Sequence, residues 1–297
     1  MSEIKFLNRY SGETETEEIY GEAYLRWTYE TKMGQLALWI LLRRGFFSAW
    51  YGWRMSRAVS RSRVAPFIKT FALDTKEFLD AEDSYKTFND FFYRHLKPEA
   101  RPLVGDEKSV VFGADGRHFG IQNVSTIDTI YAKGQGFSVN ELLGNSKLAS
   151  KFEGGTAIIS RLCPVDYHRY HSPVTGKVVS QKLIEGGLYS VNPIALSQKI
   201  DYLWRNKRIL NLIDTADLGQ VAYIAVGATC VGSIKMTAKE GGSVEKGGEL
   251  GYFEFGGSCV ITLFEPGKVE LSEDLLYAAS RGLELYAQVR DEAGRVN

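Results

Sequence analysis

The sequence predicts an α+β protein, with a helical N-terminal region over residues 1–102 and a β-rich, largely antiparallel domain over residues 103–297. Three observations predict it. Before Pro102, helix formers and aromatic residues recur at spacings of three and four. After Val110 the texture changes to short β-branched runs. Glycine is concentrated in that second part, often in pairs such as Gly154-Gly155, Gly186-Gly187 and Gly247-Gly248, as many tight turns require.

Taken in order, 20–31, 35–44, 46–60 and 65–71 read as helices, with Gly45 and Gly52 interrupting the pattern. Strands are expected at 157–162, 176–183, 221–226 and 260–264. The segment 272–290 reads as helical again.

With 297 residues, 44% hydrophobic and 24% charged, the chain has ordinary globular composition and length enough for a sizeable core. Lys plus Arg and Asp plus Glu both total 36, and no nucleic-acid module is recognisable, so no nucleic-acid partner is expected. Cys163, Cys230 and Cys259 are odd in number and far apart, which argues against a disulfide framework and for a reducing, intracellular setting. The first ten residues lack a signal-peptide pattern, and the longest apolar run, 36–42, is far short of the roughly 20 residues a spanning helix needs.

Charge is nevertheless unevenly placed. Between Glu30 and Asp74 there is no acidic residue, while Lys32, Arg43, Arg44, Arg54, Arg57, Arg61, Arg63 and Lys69 are interleaved with Trp39, Phe46, Phe47, Trp50, Tyr51 and Trp53. Basic residues favour anionic head groups, and tryptophan favours the boundary beneath them, so this stretch reads as a membrane-facing surface. A helical subdomain with core aromatics and solvated arginines fits it equally well, because the arginines do not segregate onto one helical face.

Chemistry-bearing residues are few. His168 and His171 lie in Asp166-Tyr167-His168-Arg169-Tyr170-His171, but no second His/Cys cluster accompanies them, so no metal site is expected. On a strand the pair would face opposite ways; in a turn both could serve one cavity, one acting on a nucleophile and one on a substrate. Phe255-Gly256-Gly257-Ser258-Cys259 places a serine after two glycines between alternating strands. Glycine there tolerates a strained backbone and leaves the Gly257 carbonyl open to the neighbouring hydroxyl. Such a hydroxyl needs a base, and the base an orienting acid; Asp115, between Gly113 and Gly116, is a candidate, although Asp-Gly is also a common hairpin turn. Gly136-Phe137-Ser138 resembles a nucleophile elbow, but Asn140 stands where its closing glycine belongs.

Together these segments resemble the phosphatidylserine decarboxylase family, in particular its shorter, clostridial-like branch. The match runs in order from Phe88-Asn89-Asp90-Phe91-Phe92-Tyr93-Arg94-His95-Leu96-Lys97-Pro98 and Arg101-Pro102, through Asp115-Gly116, Lys133-Gly134, the histidine motif and Tyr189-Ser190-Val191-Asn192-Pro193. It ends with Val226-Gly227-Ala228-Thr229, Val231-Gly232-Ser233-Ile234 and Phe255-Gly256-Gly257-Ser258. Cys259 departs from the family's usual threonine.

The resemblance implies that Ser258 attacks the Gly257 carbonyl, with His171 as general base and Asp115 orienting it, and that the cut chain carries a covalent pyruvoyl cofactor derived from Ser258. The pyruvoyl group would form a Schiff base with phosphatidylserine and release carbon dioxide to give phosphatidylethanolamine, with His168 returning a proton. It further implies a heterodimer of products 1–257 and 258–297, held at an anionic membrane surface on the cytoplasmic side. The strands flanking the break are expected to share one sheet system and so keep the products together. A Ser-His-Asp lipid hydrolase and a non-enzymatic membrane-binding module are the alternatives.

Overall fold

The computed structural model describes residues 3–43, 45–126, 129–130, 132–133, 136–229, 234–256 and 258–297, with 41–42, 47, 129–130 and 132–133 described by backbone alone. Gly257, Arg44, Cys230, Gly134 and 231–233 therefore lie outside the described residues, as does the Phe47 side chain.

The fold is α+β, as expected. Its spine is a ten-stranded sheet in the order Ser243–Val244, Gly176–Ile184, Arg208–Asp214, Gln220–Val226, Ser258–Phe264, Thr156–Leu162, Gly116–Ile121, Glu284–Ala287, Lys5–Asn8, Thr14–Thr16. Among the described residues, Lys5–Asn8 against Glu284–Ala287 is the one parallel pair of this sheet, and the other pairs are antiparallel. The central strands are apolar on both faces because both faces are covered. Alternate residues divide between two cores: Ile159, Ile224 and Ile261 enter one, Ile158, Ala225 and Val260 the other.

The helices Glu22–Glu30, Lys32–Ala37, Gly45–Met55 and Val64–Thr70 overlap the four expected stretches with different bounds, and Gly45 and Gly52 do not interrupt the third helix, which begins at the one and contains the other. Aromatic residues of this region form a third core, in which Phe88 and Phe92 pack on Phe255 and Phe67 and Phe91 pack on Phe88. The helical part is thus packed directly on the chain just before residue 258.

Three readings are corrected. The first residues are not helical: Lys5–Asn8 and Thr14–Thr16 are the last two strands at one side of the main sheet, Thr14–Thr16 at its edge. The segment 272–290 is helical only over Glu273–Ser280; Gly282, at φ 68°, turns the chain, and the alternating Glu284–Ala287 enters the sheet. Finally, the strands flanking the break belong to different sheets. Glu249–Phe253 pairs with Ile234–Met236 and Arg169–His171, whereas Ser258–Phe264 lies mid-sheet between Gln220–Val226 and Thr156–Leu162.

What holds residues 258–297 in place is instead their own strands. Glu284–Ala287 lies between Gly116–Ile121 and Lys5–Asn8, and Glu292–Val296 pairs with Ser109–Val111.

Candidate active site

Ser258 opens a central strand opposite Leu162 and has no solvent exposure. Its Oγ has no hydrogen-bond partner among the described residues. A buried hydroxyl left unpaired costs stability, so its retention points to chemistry. The approach is set by Gly256, whose φ of 140° suits glycine, and by Phe255, whose N–H donates to Asn89 Oδ1 at 2.7 Å. Asn89 belongs to the short helix Phe88–Phe92, capped by Thr87. The aromatic motif at 88–92 therefore acts as a clamp on the segment leading to Ser258.

His168 is fully buried, its ring 3.9 Å from that of Phe92. Nδ1 lies 2.9 Å from the Asp166 carbonyl, which can only accept, so Nδ1 carries the proton and Nε2 is left with a lone pair. Nε2 has no well-formed hydrogen bond, although the Gly256 backbone comes near enough to favour the protonated imidazole. Burial outweighs this and pushes the pKa down to about 3, with Arg94 acting in the same direction. Asp166 is itself fixed by Arg117 Nη1 at 2.7 and 2.8 Å and by the Cys163 N–H at 2.6 Å.

His171 has different neighbours. Its Nδ1 donates to the Gly247 carbonyl at 2.9 Å, and Nε2 is again buried and unpartnered. Burial and then Arg290 lower its pKa to about 4, against the Gly247 hydrogen bond and the charges of Glu249 and Asp115. Both imidazoles are thus neutral at neutral pH and able to accept a proton at Nε2.

Asp115 is near enough to act on His171 electrostatically, but no hydrogen bond joins the two. Arg101 grips the carboxylate through Nε at 3.0 Å to both oxygens and Nη2 at 2.7 Å, and the Val289 N–H donates to Oδ1 at 2.8 Å. Nor is Ser258 Oγ hydrogen-bonded to either histidine. The structure thus sets His168 beside the residues preceding the break and holds His171 and Asp115 in a second, adjoining polar network.

A cavity of about 660 Å³ reaches Gly256; Tyr20, Tyr24, Trp50, Tyr51 and Phe255 give it a mostly apolar wall. At its polar end Arg161, wholly buried, binds Glu17 at 2.6 Å and Glu284 at 2.5 Å. Removing either carboxylate would leave a buried charge less than fully compensated, so this cluster specifies where the N-terminal segment docks.

Sequence reasoning missed Arg101, Arg290, Glu17 and Arg161. Arg101 was visible as the end of the motif that starts at Phe88; the others carried no local signal.

Comparison with known proteins identifies the class first: an enzyme of the lyase type that removes a carboxyl group. The chain belongs to the phosphatidylserine decarboxylase family, whose sequence model matches residues 88–281. It is 39% identical to the phosphatidylserine decarboxylase proenzyme of Clostridium novyi, over 98% of this chain and 99% of the relative. Proenzymes of the same name from Fusobacterium nucleatum and Clostridium kluyveri are each 38% identical, over 98% of this chain and 97% and 98% of theirs.

Proposed function

We propose that this chain is a precursor that cuts itself between Gly257 and Ser258, and that the cut form decarboxylates phosphatidylserine to phosphatidylethanolamine. The observation that carries this reading is the buried, unpartnered Ser258 Oγ directly after two glycines, in a chain related to proenzymes. His171 takes the Oγ proton, Oγ attacks the Gly257 carbonyl, and the peptide bond becomes an ester with the amino group of residue 258 released. Loss of a proton from the Cα of residue 258 expels the Gly257 carboxylate and leaves a dehydroalanine. Its tautomer takes up water and loses ammonia, leaving a pyruvoyl group.

That group would supply a carbonyl that condenses with the substrate amine and accepts the electron pair released with carbon dioxide. His168 would hold and return a proton through Nε2; its unpartnered Nε2 near the Gly256 backbone supports this. The mostly apolar wall of the cavity suits the lipid stem.

Intact mass spectrometry in denaturant tests this reading. Denaturant is needed because residues 258–297 are woven into the sheets at three places. Two fragments, 1–257 and a pyruvoyl-started 258–297, are the expected result; one full-length chain from active protein would overturn it and favour a serine hydrolase.

The same proposal includes docking on an anionic membrane. No helix is long and apolar enough to cross a membrane among the described residues. Trp39, Ile40, Phe46, Trp50 and Trp53 are at least half exposed, and arginines lie over three of these rings: Arg43 on Trp39, Arg54 on Trp50 and Arg57 on Trp53. Trp50 also lines the cavity, which brings the aromatic surface to the cavity wall. Binding to phosphatidylserine vesicles is expected to weaken as salt rises from about 0.1 to about 1 M, where the screening length falls from about 10 to about 3 Å. Salt-insensitive binding, measured by co-sedimentation, would assign docking to apolar insertion alone.

A further inference from the structure

Among the described residues, Ala72 and Arg290 are the non-glycine residues with positive φ, and Arg290, at 74°, stands beside the polar network of His171. A left-handed arginine is unusual and persists only where its surroundings hold it. Here the Arg290 N–H donates to the Phe112 carbonyl at 2.9 Å, and its carbonyl accepts from the Val104 N–H at 3.0 Å. The backbone twist sends the guanidinium to two carbonyls: Nε donates to Gly247 and Nη1 to Arg101, both at 2.9 Å.

The Gly247 carbonyl is the same one that accepts from His171 Nδ1. Gly247 is also left-handed, at φ 75°, and a Cβ there would lie 3.3 Å from Arg290 Cγ and Nε. The left-handed backbone and this close approach favour glycine at 247, with the arginine lying against it. Arg101 in turn grips Asp115, which also accepts from the N–H of Val289, the residue before Arg290.

We propose that Arg290 is a positioning residue for His171: by fixing the Gly247 carbonyl it holds the imidazole in its Nδ1–H tautomer and leaves Nε2 free to accept a proton. It also joins His171 to Asp115 through Arg101, so the orienting acid acts through two arginines rather than by direct contact. The consequence for catalysis rests on the reading of His171 as general base; the positioning itself does not.

The groups facing His171 are Arg290, Glu249, Asp115 and the Tyr167 ring, whose centroid is 5.8 Å away. Arg290 lowers the imidazole pKa while Glu249 and Asp115 raise it. Removing the guanidinium therefore moves the titration upward and loosens the tautomer.

The test uses the full chain carrying Ser258→Ala, uniformly uncut, with ¹⁵N-labelled histidine read by NMR. His171 is expected to stay neutral and Nδ1-protonated down to about pH 5, consistent with its lowered pKa. Adding Arg290→Met, or Arg290→Gln where the first variant folds poorly, is expected to raise the midpoint by about one pH unit or more and to populate the second tautomer. In the Ser258 chain the same changes are expected to slow self-cleavage by about tenfold. An unchanged His171 spectrum overturns the proposal. A changed spectrum with undiminished cleavage sustains the positioning and instead removes His171 from the role of base.

Discussion

A His171→Ala chain is expected to accumulate as an uncut precursor with no measurable decarboxylase activity. Self-cleavage needs the Ser258 proton removed, and a positioned base contributes roughly 10² to 10⁴ in rate. Ser258 is buried beyond the reach of bulk water, so no solvent base stands in readily. The pH dependence follows from the sign of the shift. With its pKa lowered to about 4, His171 is in the base form throughout the neutral range, and cleavage is lost only as pH falls through that value. Denaturing gels of freshly translated chain, sampled over hours, give the rate; cutting at the parental rate would exclude His171. Asp115→Asn is expected to be slowed less, because Asp115 reaches His171 through Arg101 and Arg290 rather than by a bond of its own.

The parts of this fold that could be read from the sequence are those whose cause is local. The 221–226 and 260–264 runs are apolar at nearly every position, Thr262 being the exception, because both faces of the sheet are covered there, and each lies within a central strand. Lys5–Asn8 gave no such signal: four residues long, it is a strand only because Glu284–Ala287, at the other end of the chain, offers it an edge. The same distinction applies at the site. Ser258, Asp115, His168 and His171 stood out by residue type and glycine context, whereas the partners of Asp115 and His171 are chosen by tertiary structure. Gly247 acts through its carbonyl and Arg290 through a contact 43 residues away, and neither leaves a mark on the local pattern. The expectation that the flanking strands share a sheet failed for a related reason, since Glu249–Phe253 and Ser258–Phe264 take their partners from different sheets.

Replacement of His168 separates the two reactions that the site is proposed to run. A His168→Ala chain is expected to be cut normally yet to lose about 10² to 10⁴ in decarboxylation rate, the span a positioned proton donor supplies. With its pKa pushed down to about 3, His168 holds no proton at Nε2 in the resting site at neutral pH. Nδ1–H is committed to the Asp166 carbonyl, so the proton delivered to substrate carbon must first arrive at Nε2. In the proposed reaction the substrate's own ammonium must shed a proton before its amine reacts, which would make it one source for the proton that His168 carries. His168→Asn, which retains a donor toward Asp166 but no shuttling nitrogen, is expected to match Ala in rate while disturbing the Phe92 contact less. Mass spectrometry scores the cut and carbon dioxide release scores the turnover on the same preparation. Cut and fully active protein would remove His168 from the chemistry, and an uncut chain would transfer to it the role of base assigned to His171.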